Sequence, residues 1–180
     1  MGKILLGLLL YAIDIGMPIG DGRIIGIMPD FLGYLCIAWG LREMKHASGY
    51  FAKGETAVFG VSVVSFIIYV MDLMGFGNVI SFTLLGVDIL ELAGFLAVLF
   101  LIMRGIQDVE TEAKRDLRTA ALKMIWVALA VVSPIAYITS LFNNLIGNIF
   151  SVPTIILDIC YILAFYRCKV AYEEYMAEQD

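Results

Sequence analysis

Between Ile24 and Leu41 the chain reads IIGIMPDFLGYLCIAWGL, an apolar run long enough to cross a bilayer with a proline and an aspartate set into it. An acid at the centre of a lipid-crossing segment costs about 2.5–3.5 kcal/mol on insertion scales, so Asp30 requires a structural or functional reason. Composition identifies the same solvent. The 180 residues are 61% hydrophobic and 16% charged, with a mean hydropathy of +0.91. That is one domain's worth of chain outside ordinary soluble composition, and it is expected to bury its apolar surface in the lipid bilayer.

Six apolar segments are predicted: 4–20, 24–41, 57–74, 79–103, 124–142 and 149–166. Each spans about 25 Å or more as a helix, enough to cross with some bilayer adaptation. The expectation is an all-α polytopic membrane bundle of three tandem hairpins, 1–46, 57–103 and 124–169, with an acidic tail at 170–180. Placing the N-terminus inside puts all the basic residues except Arg23 on the cytoplasmic side, as the positive-inside rule asks. Both termini are then cytoplasmic in a multi-pass protein of the cell membrane. Residues 104–123 are predicted to form a cytoplasmic linker helix continuing the fourth span, with apolar residues at helical spacing and Glu110 four residues before Lys114. The first run lacks a small-x-small cleavage pattern and is expected to be retained as a helix.

The sequence also repeats. VVSFIIY at Val63–Tyr69 recurs as VVSPIAY at Val131–Tyr137, and GNVISFTLLGVDI at Gly77–Ile89 recurs as GNIFSVPTIILDI at Gly147–Ile159. The first hairpin fits more loosely, with Tyr11, Asp14 and Asp30 matching Tyr69, Asp72 and Asp88; Ser140 stands where an aspartate would continue the pattern. Each unit holds two spans, so the copies share one orientation and predict pseudo-threefold parallel repeats about the membrane normal.

Polar residues fall in stripes within these spans. Ser62, Ser65, Tyr69 and Asp72 share one helical face, and Ser133, Tyr137, Ser140 and Asn144 share another. Asn78, Ser81 and Asp88 line a third face that Glu91 nearly joins; Asn148, Ser151 and Asp158 repeat it. Tyr11 and Asp14 belong to the first segment. Stripes of this kind avoid lipid and point to each other or to water. Ser, Thr and Asn also serve as hydrogen-bond glue between helices. Asp30 has a local explanation too, as a first-turn acid behind Pro29 at a helix start. Asp14 and Asp72 lie near outer span ends, where a wetted surface explains them equally well. The deeper acids Asp88, Glu91 and Asp158 favour a cavity. No base lies within the spans to neutralise them, which leaves protonation, a bound cation, or Arg23 reaching in from outside.

The candidate ligand or ion site is therefore Asp30, Asp88, Glu91, Asp158, Tyr69, Tyr137, Asn78 and Asn148, with Tyr11, Asp14, Asp72 and Arg23 in support. Protons, metal or sodium ions, or an amine-bearing solute suit such a set. Cys36, Cys160 and Cys168 form no metal-type spacing, and His46 is the only histidine, so neither a zinc site nor a histidine triad is expected. Cys36 and Cys160 read as buried thiols, and Cys168, between Arg167 and Lys169, as an exposed one. There is no basic footprint for nucleic acid.

Pro29, Asp30, Phe31, Gly33, Tyr34, Gly40, Leu41 and Arg42 form a phrase that resembles the signature of uncharacterised small six-span membrane proteins of Gram-positive bacteria. The resemblance implies localisation and no chemistry, and no cofactor is expected. The expected function is small-solute or ion-coupled transport or binding. The alternative is a non-catalytic scaffold or accessory subunit with a membrane-protein partner. An intramembrane enzyme ranks last, because GxSxG and HExxH are absent.

Overall fold

The computed structural model describes residues 1–13, 16–19, 23–26, 29–74, 81–142 and 144–178, with the backbone alone at 16–19, 23–26, 72, 81–85, 87, 88 and 144–148. Six helices account for nearly all of it: α1 (Gly2–Ala12), α2 (Asp30–Met44), α3 (Gly49–Leu73), α4 (Ser81–Ala113), α5 (Thr119–Phe142) and α6 (Asn144–Ala177). Four of them are long and apolar enough to cross a membrane, over Gly49–Met71, Ile89–Ala113, Thr119–Phe142 and Ile149–Ala177. They mark the chain as an integral membrane protein.

The first two segments depart from expectation. Segments 4–20 and 24–41 are not continuous helices: α1 stops at Ala12, α2 starts at Asp30, and between them β1 (Gly16–Ile19) pairs antiparallel with β2 (Arg23–Gly26). The register sets Gly16 opposite Gly26 and Ile19 opposite Arg23. Glycine and proline weaken a helix, and a run of β-branched residues beside a Gly-Asp-Gly sequence suits a hairpin. At 1.5 Å per residue, α1 is about 16 Å long and α2 about 22 Å, both short of the roughly 30 Å hydrocarbon layer.

These short helices pack closely because glycines line their contact. A Cβ on Gly7 would lie 2.5 Å from the Gly33 carbonyl oxygen, and one on Gly40 would lie 2.7 Å from the Ile4 nitrogen. Lys3 and Glu43 form an ion pair that ties the free ends of α1 and α2 together. Ser62 Oγ donates to the Phe31 carbonyl at 3.2 Å, joining α3 to α2. On this part of α3 the polar stripe acts as interhelical glue.

Helix contacts run in chain order from α1 to α6 and close where α6 meets α1, the weakest of the helix–helix contacts in the ring. The core sits on α4, whose Phe95, Val98, Leu99, Ile102, Met103 and Ile106 are all buried. Two aromatic donors fasten neighbours to its backbone: Trp126 Nε1 on α5 donates to the Leu96 carbonyl at 3.0 Å, and the Tyr161 hydroxyl on α6 donates to the Leu99 carbonyl at 2.8 Å. α6 shows Ile155, Ile156, Ile159 and Leu163 at the surface, and α4 shows Ile89 and Leu90.

The expected linker helix at 104–123 is also corrected. α4 continues to Ala113, the chain turns at 114–118, and Thr119 begins α5. Lys114 takes a left-handed φ of 51°, and the Arg115 N–H returns to the Glu110 carbonyl at 3.3 Å, which is a Schellman stop. The Glu110 carboxylate then accepts the Thr119 N–H at 3.3 Å, satisfying a donor at the start of α5. Arg115 in this turn pairs with Glu178, one contact at 2.8 Å, and so anchors the end of α6. Cys168 is fully buried rather than exposed, because α6 continues past it and turns it into the core, while Cys36 and Cys160 are half-buried.

Candidate functional site

Tyr11 closes the last turn of α1, and Asp30 opens the first turn of α2. The glycine contact brings both helix ends against α4. There the Tyr11 ring stacks on Phe95, with centroids 4.2 Å apart and planes at 23°, and tilts against Tyr34 at 5.4 Å. Asp158 enters the same place from α6. A cavity of about 240 Å³ lies between these groups, walled by Leu8, Tyr11 and Ala12 of α1, Asp30 of α2, and Phe95 and Leu99 of α4. Ile155, Asp158, Ile159, Tyr161 and Ile162 complete it from α6.

Lys3, Arg42 and Arg167 belong to the basic end of the bundle, and Tyr11, Asp30 and Asp158 lie eight, twelve and nine residues further along their helices. That is a rise of about 12–18 Å.

Two carboxyls from separate helices therefore line one cavity, and among the described residues no lysine, arginine or histidine lines it with them. Asp30, Glu91 and Asp158 all lie within electrostatic range of Tyr11. Helix termini add to the field. α1 ends here without a basic residue in its last turn, so its terminal carbonyls contribute negative potential. Asp30, at the positive N-terminus of α2, also has the first-turn role that its place behind Pro29 suggested.

One polar atom is left over. Oδ1 of Asp158 is buried and has no hydrogen-bond partner among the described residues, while the buried Tyr34 hydroxyl lies beside Tyr11. An unsatisfied buried polar group costs about 1–3 kcal/mol, and orphans of this kind mark a place where a ligand or water restores the missing bond. Among the described residues no three His, Cys, Asp or Glu side chains are grouped to hold a metal ion.

The expected site is thus assembled in part. Asp30, Asp158 and Tyr11 meet at the cavity. Glu91 stands nearby on α4 but lines a different groove of about 350 Å³ against α3, with Thr56, Ala57, Gly60, Val61 and Gly94. Tyr69 is half-buried on α3, its ring 5.8 Å from Phe31, and Tyr137 is half-buried on α5; neither lines the cavity. Asp88 and Asp72 lie on α4 and α3, Asn148 on α6 and Arg23 on β2, each with its side chain outside the description. Asp14 and Asn78 lie outside the described residues. Sequence reasoning left out Tyr34 and Tyr161, although each follows a site acid at helical spacing, four residues after Asp30 and three after Asp158.

Comparison with protein-family models, curated proteins and solved structures finds no match to this chain.

Proposed function

We propose that this protein binds a small cation or amine-bearing solute at the Asp30–Asp158 cavity and moves it across the membrane, and that it is not an enzyme. One observation carries the reading: two carboxyls from different helices share a cavity that no base among the described residues lines, and the buried Oδ1 of Asp158 has no partner among those residues. Intramembrane acids in such surroundings are expensive, and substrate or ion sites are where they are found.

In this reading the chain crosses six times with its basic end in the cytoplasm. β1 and β2 contribute non-helical backbone to the first two crossings, which is tolerated at membrane depth only where protein or a cavity covers it. Transporters use interrupted helices in this way to bring helix ends to a midplane site. The internal repeat belongs to the same reading. α3 and α4 have 25 and 33 residues and α5 and α6 have 24 and 34, and the paired positions Ser65/Ser133 and Phe95/Phe165 are all buried. The residues shared with the Gram-positive signature acquire tasks here: Gly33 and Gly40 admit α1, Tyr34 backs Tyr11, and Asp30 lines the cavity.

Uptake into proteoliposomes tests the proposal. A panel of sodium, potassium, ammonium and short alkylammonium salts should contain at least one cation whose entry is saturable and exceeds that into empty liposomes. Entry equal to that of empty liposomes across the panel, with no binding in detergent, would move the protein to the scaffold or accessory-subunit class.

A further inference from the structure

The cavity is not a bare cation cage. Most of its wall is hydrocarbon, contributed by Leu8, Phe95, Leu99 and the isoleucines of α6, and the Tyr161 hydroxyl is already committed to the Leu99 carbonyl. Among the described residues its ionic and polar lining is Tyr11, Asp30 and Asp158. A dehydrated sodium or calcium ion asks for about six or more oxygen ligands, and the described residues of this wall offer few. A single ammonium head with an apolar body matches it better, since the head can take the carboxyls while the body replaces water along the hydrocarbon.

The direction of access follows from the same wall. The cavity lies on the α1–α6 seam, where the helix ring closes. Ile155 and Ile159 on its rim are 57% and 51% exposed, and Ala12 beside them is exposed as well. In a bundle whose outer surface is covered with leucine, isoleucine, valine and phenylalanine, that rim faces lipid. From this juxtaposition, and resting on the reading of the cavity as a cation or amine site, we infer that the occupant is an amphiphilic amine. It enters sideways from the bilayer through the α1–α6 seam, head first toward Asp158 and Asp30.

The test uses the whole protein in lipid nanodiscs, with thermal stability as readout and four probes: sodium chloride, ethylamine, octylamine and octanol. Octylamine should stabilise at far lower concentration than ethylamine, by up to about fourfold per methylene that the cavity buries. Octanol, which partitions into the same bilayer without a charge, should not stabilise. Asp158→Asn should abolish the octylamine effect, and Ile159→Trp, which fills the rim, should reduce it at least tenfold while leaving unliganded stability near wild type. Stabilisation by sodium or ethylamine at concentrations as low as octylamine would overturn the amphiphile inference and leave the cation site standing. Equal stabilisation by octanol, or an octylamine effect that survives Asp158→Asn, would also overturn the inference. No response to any probe would sink both readings.

Discussion

Gly7 of α1 and Gly33 of α2 each occupy the space that a side chain on the other would need: a Cβ on Gly7 would lie 2.5 Å from the Gly33 carbonyl oxygen, and one on Gly33 would lie 2.9 Å from the Gly7 carbonyl oxygen. Because both obstacles are backbone, a methyl group at either position forces the helices apart. The consequence reaches the cavity, since Tyr11 and Asp30 are held by this contact.

Gly7→Ala and Gly33→Ala should each destabilise the protein by about 1–3 kcal/mol, as overpacking does, even though alanine is the better helix former. Gly60→Ala in α3 is the control. A Cβ there meets nothing within 4 Å, so the helix-propensity gain of about 0.5–1 kcal/mol should appear undiminished. Denaturation in detergent measures all three. Loss of stability in Gly60→Ala matching that of Gly7→Ala would mean that glycine flexibility, not close approach, matters.

Topology is checked by thiol labelling in a background without Cys36, Cys160 and Cys168. Gly20→Cys and Asn144→Cys should react with an impermeant reagent outside intact cells, whereas Ala47→Cys and Glu112→Cys should not. Outside labelling of the second pair would end the reading with six crossings and both termini inside.

The basic end of the bundle should loosen in acid. Pairing with Lys3 holds Glu43 below its ordinary carboxylate range, and pairing with Arg115 does the same for Glu178. A depressed acid contributes its stability above its unfolded value of 4.5 and loses it as pH falls through the lower folded value. Hydrogen exchange of the last turn of α6 should therefore quicken as pH drops below about 4.5 relative to the intrinsic rate. Glu178→Gln should show that faster exchange already at neutral pH. Both side chains are exposed, so salt should weaken the effect.

Much of the site could be read from residue types alone. An aspartate in an apolar run has few places to go, and Asp30 and Asp158 went to the same one. The stripe rule worked less well for Tyr69 and Tyr137. A helical face records that residues point together, not which neighbour they meet, and Ser62 on that face found a carbonyl of α2. The short α1 and α2 escaped notice because hydropathy scores an isoleucine-rich strand and an isoleucine-rich helix alike. The Gly20-Asp21-Gly22 sequence between apolar runs was the available sign of a hairpin. Burial of Cys168 went unseen for a related reason, since its charged neighbours describe the surface of α6 and not the face that meets the core.

The most direct test of the central claim compares ligand-induced stabilisation in wild type with that in the Asp30→Asn, Asp158→Asn double variant. Asparagine keeps size and hydrogen bonding while removing the charge. The variant should therefore fold at least as well as wild type without ligand. Wild type should gain about 2.7 kcal/mol at a hundredfold excess of its cation or amine over the dissociation constant. The double variant should gain nothing measurable at the same concentration. Equal stabilisation of both proteins would show that these carboxyls are structural and that the ligand binds elsewhere.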